Sequence, residues 1–245
     1  MNKIAVVTGA NRGIGFETAR QLGKAGVTVL MGARNAQRGE EAAAKLRNEG
    51  IDTYFTSLDV VSNMDHDKLF RFVKEKYGRL DILINNAGAI FEMGRESAFL
   101  SSNRFAVDIY RKTFEINFFQ AIALTQKLLP LLTKSDQGRI VNVSSILGSL
   151  SLRSDPESDI YTVPSPAYSI SKTALNAFTI QLAQELRGTS IKVNAAQPGW
   201  VRTAMGGPQA PMDVSAGAQT SVRLALLPPD GPTGKFFHFD DTIPW

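Results

Sequence analysis

Short apolar, β-branched runs alternate with amphipathic stretches along this chain. Ile4-Ala5-Val6-Val7 is apolar at every position, the pattern of a strand buried on both faces. Similar runs predict strands at Val27–Ala33, Thr53–Leu58, Leu80–Asn85, Arg139–Val143, Ile191–Ala196 and Lys235–Phe239. Between them lie helical patterns: one through Ala25, then Asn35–Glu49, Asn63–Tyr77, Val107–Leu132, Ser165–Arg187 and Val214–Leu227. In the fifth of these, Ala167, Ile170, Ala174, Ala177, Phe178, Leu182 and Leu186 recur at helical spacing. Strand–helix alternation of this kind predicts an α/β fold, a doubly wound and mostly parallel sheet of about seven strands with helices on both faces. The 245 residues show no repeat, low-complexity tract or linker, so one domain spans 1–245.

The first strand runs into Thr8-Gly9-Ala10-Asn11-Arg12-Gly13-Ile14-Gly15 and then a helix. Strand, glycine-rich turn and helix make a Rossmann-type phosphate cradle: glycines let the backbone approach a pyrophosphate, and the helix N-terminus offers free N–H groups. The second strand ends at Ala33-Arg34, where a carboxylate would hold the ribose 2′-hydroxyl of NAD. Arg34 and Arg12 suit a 2′-phosphate instead, because guanidinium binds phosphate bidentately, so NADP is expected over NAD. Asp59 and Asn86 close two further strands on the same side as Gly9, which marks a cofactor crevice.

Tyr168 and Lys172 lie four apart on one helix, hence on one face. A cation about 4 Å from a phenol is worth roughly 4 kcal/mol at an effective dielectric of ~20, enough to draw its pKa down two or three units. Seen alone, the pair favours the plainer reading, a surface tyrosine packed on a lysine stem.

Composition narrows the chemistry further. With no cysteine, disulfides, thiolate zinc sites and cysteine nucleophiles are excluded. His66 and His238 fit no metal-ligand spacing, and His66, flanked by Asp65 and Asp67, reads as a solvated helix start; no metal is expected. The net charge of +4 is dispersed and shows no basic run, which disfavours nucleic acid. No apolar run approaches the length of a membrane span. The chain enters a strand at once, leaving no room for a signal peptide, so a cytoplasmic protein is expected.

Three stretches are less regular. Gly88–Phe105, with Phe91, Met93 and Phe99, reads either as a loop at a substrate mouth or as surface decoration. Asn117, set among Ile116, Phe118 and Phe119, is either a helix-kinking buried amide or a site residue. Ser151–Pro166, rich in Ser, Asp and Pro, reads as a loop insertion.

The ordered set Thr8–Gly15, Asn85-Asn86-Ala87-Gly88, Asn117, Ser145, Tyr168-x-x-x-Lys172 and Pro198-Gly199 resembles the short-chain dehydrogenase/reductase superfamily over essentially the whole chain. Within it, Asn117-Phe118-Phe119, Pro198-Gly199-Trp200-Val201-Arg202-Thr203 and Leu224–Asp230 look like the NADPH-dependent carbonyl reductase branch. The resemblance implies that Tyr168 donates a proton to a carbonyl oxygen, and that Ser145, rather than Ser144, hydrogen-bonds that oxygen. Lys172 would hold the nicotinamide ribose and lower the tyrosine pKa. Asn117 would hold a water linking Lys172 to solvent. Gly9, Asn11, Arg12, Gly13, Ile14 and Gly15 would cradle the pyrophosphate, and Asp59 and Val60 would frame the adenine. Asn86, Ala87 and Gly88 would line the adenosine side, while Pro198, Gly199, Val201 and Thr203 would cover the nicotinamide.

Two departures stand out. Ser145 and Tyr168 are 23 residues apart, so the stretch between them carries about ten more than is common in that family. The insertion resembles one that covers a subunit-interface face in carbonyl reductases, which favours a monomer over a homo-oligomer. The segment between Asn86 and Asn117 is also a few residues longer than usual.

Leu147 and Trp200, with Phe91 or Met205, would give Ser145 and Tyr168 an apolar pocket wall for lipophilic ketones, aldehydes or quinones. Three other readings compete. An alcohol/steroid-type or 3-oxoacyl-type dehydrogenase would share the same residues. A methyltransferase would want an acid near Arg34 and no Tyr–Lys pair. A non-catalytic NADP-binding regulator would lose that pair, whereas here all four catalytic positions are filled.

Overall fold

One sheet organises the molecule. The computed structural model describes residues 2–92 and 106–245. Within them the sheet has eight strands: β1 Ile4–Thr8, β2 Thr28–Ala33, β3 Thr53–Ser57, β4 Ile82–Asn85, β5 Arg139–Val143, β6 Lys192–Ala196, β7 Phe236–His238 and β8 Asp241–Thr242. Their order is β3-β2-β1-β4-β5-β6-β7-β8. All pairings are parallel except β7 with β8. The eighth strand exceeds the expected seven. It is a two-residue antiparallel return after a tight turn in which Phe239 takes φ 51°, and its polar sequence carries no strand pattern.

Alternation along the strands feeds two cores. Ala5 and Val7 of β1 join Val29, Met31, Ile82, Ile84 and Val141 on one face. That face is covered by helices α1 Gly13–Lys24, α2 Ala36–Asn48 and α8 Val214–Ala225. Ile4 and Val6 join Leu30, Leu83, Ile140 and Val193 on the other. There the cover is α3 Asn63–Tyr77, α5 Gln120–Leu132 and α7 Pro166–Glu185. Apolar residues on both faces are what a parallel sheet with two helical layers requires.

The switch in strand order falls between β1 and β4, whose carboxyl ends open the crevice where such folds bind ligands. The helix expected over Val107–Leu132 is interrupted. It runs as α4 Val107–Phe114, a π-helical turn Glu115–Phe119, and α5. A π turn holds one extra residue in the helical ladder, and Asn117 sits inside it, so periodicity alone could not reveal it. The insertion read as a loop opens with a short helix, α6 Leu150–Ser154. The Arg153 guanidinium then pins the following turns by donating to the carbonyls of Ile160 (3.1 Å) and Val163 (2.8 Å). Met93 and Phe99, named for the irregular stretch after β4, lie outside the described residues.

Candidate active site

Thr8, Gly9 and Asn86 join the two central strand ends. The Thr8 hydroxyl accepts the backbone N–H groups of Asn86 (2.9 Å) and Ala87 (2.8 Å), and Asn86 Nδ2 donates to the Thr8 carbonyl at 2.8 Å. The glycine turn closes onto this joint. A Cβ on Gly15 would lie 2.4 Å from Asn86 Nδ2 and 2.5 Å from the Gly9 carbonyl oxygen, so only glycine fits. Gly9 itself takes φ +64°, a left-handed conformation that favours glycine.

Helix α1 starts without a side-chain cap: Arg12 at the cap position contributes none, and the first turn carries no acid. Its N–H groups and dipole therefore face the crevice uncompensated, as an anion site needs. Arg12 and Arg34 are exposed there, and among the described residues neither guanidinium has a partner. Residues and charge fit a dinucleotide pyrophosphate with an additional ribose phosphate. Thr203 arrives from the loop after β6, its methyl 3.5 Å from where a Gly13 Cβ would be.

The turn after β3 is braced from α3. Asp65 Oδ2 accepts the Asp59 N–H at 3.0 Å, and His66 Nε2 hydrogen-bonds the Val60 carbonyl at 2.9 Å. This corrects the expectation of a solvated His66. Its ring is buried, and burial holds its pKa below the usual histidine value. His66 is thus a brace for the Asp59–Val60 turn.

On the other side of the switch point, β5 ends in two serines with different fates. The Ser144 hydroxyl donates to Asn176 Oδ1 at 2.6 Å and is buried. Ser145 faces the Tyr168 phenol and favours its ionised form, while its Oγ accepts the Leu147 N–H at 3.2 Å. The tight turn Ile146–Gly148 packs directly on α7. A Cβ on Gly148 would fall 2.8 Å from the Lys172 Cβ and 2.7 Å from its carbonyl carbon. Lys172 is buried, its Nζ donates to the Val143 carbonyl at 2.8 Å, and it lies 5.6 Å from the Tyr168 ring centroid.

Asn117 is committed to the backbone after β4. Its Nδ2 donates to the Ala89 carbonyl (2.9 Å) and the Ser171 hydroxyl (3.0 Å), and its Oδ1 accepts the Ala89 N–H at 2.8 Å. Of the two readings made from sequence, the buried amide is what the π turn shows, and Asn117 lies beside α7 through Ser171. A Cβ on Gly88 would sit 3.4 Å from Asn117 Oδ1 and 3.7 Å from Lys172 Nζ.

Protonation in the site differs from the sequence expectation. Burial pushes the Tyr168 phenol up to about 12, with the Ser145 hydroxyl opposing and the Glu92 carboxylate adding to the rise. Burial brings Lys172 down to about 8. The expected lowering of the tyrosine by its neighbouring lysine is therefore absent here, because desolvation penalises both charged forms and Lys172 is turned toward Val143.

The segment after Pro198 follows β6 in a tight turn. Gly199 takes φ +88°, and a Cβ there would meet Met212 Sδ at 2.2 Å. Trp200 is 58% exposed, with its Nε1 donating to the Gly206 carbonyl at 2.8 Å. Val201 instead turns its side chain into the body against Gly217 of α8, which leaves only its backbone for the crevice. Leu147 is half-buried in the turn after β5, Met205 follows Trp200, and Phe91 lines a shallow groove with Val61 and Ile116.

Two residues escaped sequence reading. Glu92 is buried and accepts the Tyr168 backbone N–H at 2.6 Å. Gln197 Oε1 accepts the Ile146 N–H at 3.0 Å, next to Ser145. The one signal for Glu92 was an isolated acid after Ala89-Ile90-Phe91; Gln197 had none. Among the described residues, no group of three or more His, Asp or Glu is placed to hold a metal ion, and no helix is long and apolar enough to cross a membrane.

Known proteins share this arrangement. The family model described as short chain dehydrogenase matches residues 3–213. Carbonyl reductase [NADPH] 1 of Mus musculus is 35% identical over 99% of this chain and 98% of its own length. Among solved structures, salutaridine reductase from Papaver somniferum is 31% identical, with a TM-score of 0.81 over 98% of this chain and 100% of its own. NADPH-bound carbonyl reductase from chicken fatty liver is 25% identical, with a TM-score of 0.85 over 100% and 99%. With its sheet order, glycine cradle and Ser145–Tyr168–Lys172 cluster all in place, the chain belongs to the short-chain dehydrogenase/reductase superfamily, in its carbonyl reductase-like branch.

Proposed function

We propose that this protein is an NADPH-dependent reductase that converts lipophilic ketones, aldehydes or quinones to alcohols. The observation that carries the reading is the convergence of Ser145, a Tyr168 phenol held in its protonated form and buried Lys172, whose Nζ lies 5.6 Å from the Tyr168 ring centroid, at the end of β5. Similarity to proteins named carbonyl reductase [NADPH] supports it.

Arg12 and Arg34 would take the 2′-phosphate, and the glycine turn with the α1 N-terminus the pyrophosphate. NADPH, when bound, supplies the hydride. The chain's own residues govern the carbonyl oxygen. Ser145 and Tyr168 would both donate to it, stabilising negative charge as it develops, and Tyr168 would pass its proton across. A phenol with pKa about 12 holds its proton throughout the neutral range, the form reduction needs. The phenolate left behind is a much stronger base than the Lys172 amine, near 8, so reprotonation from Lys172 over a bridging water runs downhill. Both amide hydrogens of Asn117 are committed, so a solvent relay past it would use its backbone carbonyl. Leu147 and Trp200 would give the substrate its apolar surface.

The test is NADPH oxidation against a panel of ketones, aldehydes and quinones, with Tyr168→Phe alongside. Turnover of at least one carbonyl class and a loss of about 100-fold or more in the variant are expected. Full activity in Tyr168→Phe would sink the mechanism. Bound NADPH with no turnover of any carbonyl would point to a cofactor-binding regulator instead.

A further inference from the structure

The first turn of α7 carries Tyr168, yet its own cap does not serve it. Ser165 occupies the cap position and makes no capping bond; its hydroxyl pairs with Ser169 Oγ at 3.0 Å. Pro166 at the first helical position has no N–H to satisfy. The Tyr168 N–H, two positions on, would be orphaned inside the protein. A residue from another element fills the gap. Glu92, four residues beyond Gly88 and 76 before Tyr168, brings Oε1 to 2.6 Å from the Tyr168 nitrogen. Glu92 is 4% exposed. Its other oxygen, Oε2, is buried without a hydrogen-bond partner, and no cation pairs with the carboxylate among the described residues.

We propose that Glu92 is a positioning residue for the proton donor, capping the helix that carries it at the donor's own backbone N–H and setting a negative charge against its phenol. The proposal rests on the reading of Tyr168 as that donor. Its consequence is a bias toward reduction. A carboxylate beside the phenol disfavours phenolate, the form that would accept a proton from an alcohol, and favours the phenol that protonates a carbonyl oxygen. The groups facing Tyr168 are few: Glu92 from the segment after β4, the Ser145 hydroxyl after β5, and Lys172 one turn along α7. Tyr110 on α4 stands beyond Glu92 and feels the same charge. Burial acts on the phenol in the same direction as Glu92.

Two variants separate the two parts of the role. Glu92→Gln keeps an acceptor for the Tyr168 N–H and removes the charge. Carbonyl reduction at pH 7 should stay within about twofold, the alkaline limb of kcat should move to lower pH, and alcohol oxidation near pH 8 should rise several-fold. Glu92→Asp keeps the charge but draws the acceptor back by about one bond length. Its kcat for reduction should fall about tenfold with the alkaline limb unmoved and the KM for NADPH unchanged. A second readout needs neither substrate nor cofactor: ultraviolet difference titration of tyrosinate in wild type and Glu92→Gln, each referenced to its own Tyr168→Phe counterpart. The Tyr168 transition should come at lower pH in Glu92→Gln. An unmoved transition, or an alkaline limb shared by wild type and Glu92→Gln, overturns the charge role; full kcat in Glu92→Asp overturns the capping role. If the wild type reduces no carbonyl, the proposed function has failed, and the titration still decides the assignment of Glu92.

Discussion

Lys172 reaches past the crevice floor to donate a hydrogen bond from Nζ to the Val143 carbonyl at 2.8 Å, the last residue of β5. The N-terminal half of α7 is thereby tied to the strand that ends just before the two serines. The bond is made by a group that burial has brought down to about 8 from the usual lysine value of 10.5. Since the folded pKa lies below the unfolded one, the fold is penalised while the amine is charged in both states, below about pH 8. The penalty lifts as pH rises from there toward 10.5. The shift corresponds to roughly 3 kcal/mol, offset in part by the hydrogen bond to Val143. Lys172→Met should therefore unfold at a higher temperature than wild type at pH 7, with the advantage shrinking by pH 10. Thermal unfolding at the two pH values checks this. An advantage that stays constant with pH would mean that the lysine is not desolvated in the folded protein.

Gly148 is the contact between the Ser145 turn and α7. A methyl group there would press on the Lys172 carbonyl carbon at 2.7 Å and the Thr173 nitrogen at 2.9 Å, backbone atoms that cannot swing away. Overpacking of this kind costs about 1–3 kcal/mol, and an ångström of misplacement at a reacting group costs on the order of 100-fold in rate. Gly148→Ala should lower kcat by about 10- to 100-fold with little change in the KM for NADPH. Steady-state kinetics decides the matter, and an unchanged kcat would show that the turn relaxes without moving Ser145.

Arg34 stands where a ribose-binding carboxylate would select NAD. Its guanidinium is exposed and without a partner among the described residues, so replacing it disturbs no existing contact. Losing a charge-assisted bond to phosphate costs about 1.5–3 kcal/mol, or roughly 10- to 100-fold. Arg34→Asp should raise the KM for NADPH by that factor and lower the KM for NADH. An unchanged ratio of kcat/KM for the two cofactors would remove Arg34 from cofactor selection.

Much of this molecule was legible along the chain because the determining physics is local. Fully apolar runs such as Ile4–Val7 make buried strands, glycines at Gly9 and Gly15 make the close turn, and four-residue spacing puts Tyr168 and Lys172 on one helix face. β5 falls on Arg139–Val143 as read, and Gly9, Asp59 and Asn86 follow the carboxyl ends of β1, β3 and β4. Tertiary structure decided the rest. It turned His66 from the surface to the Val60 carbonyl, drew Glu92 to the Tyr168 N–H and brought Gln197 to Ile146 across 51 residues. It also set the charge state of the site. The sequence offered a lysine able to acidify a tyrosine; the fold buried the amine and half-buried the phenol, and desolvation, which depends on everything packed around a group, moved the phenol up and the amine down.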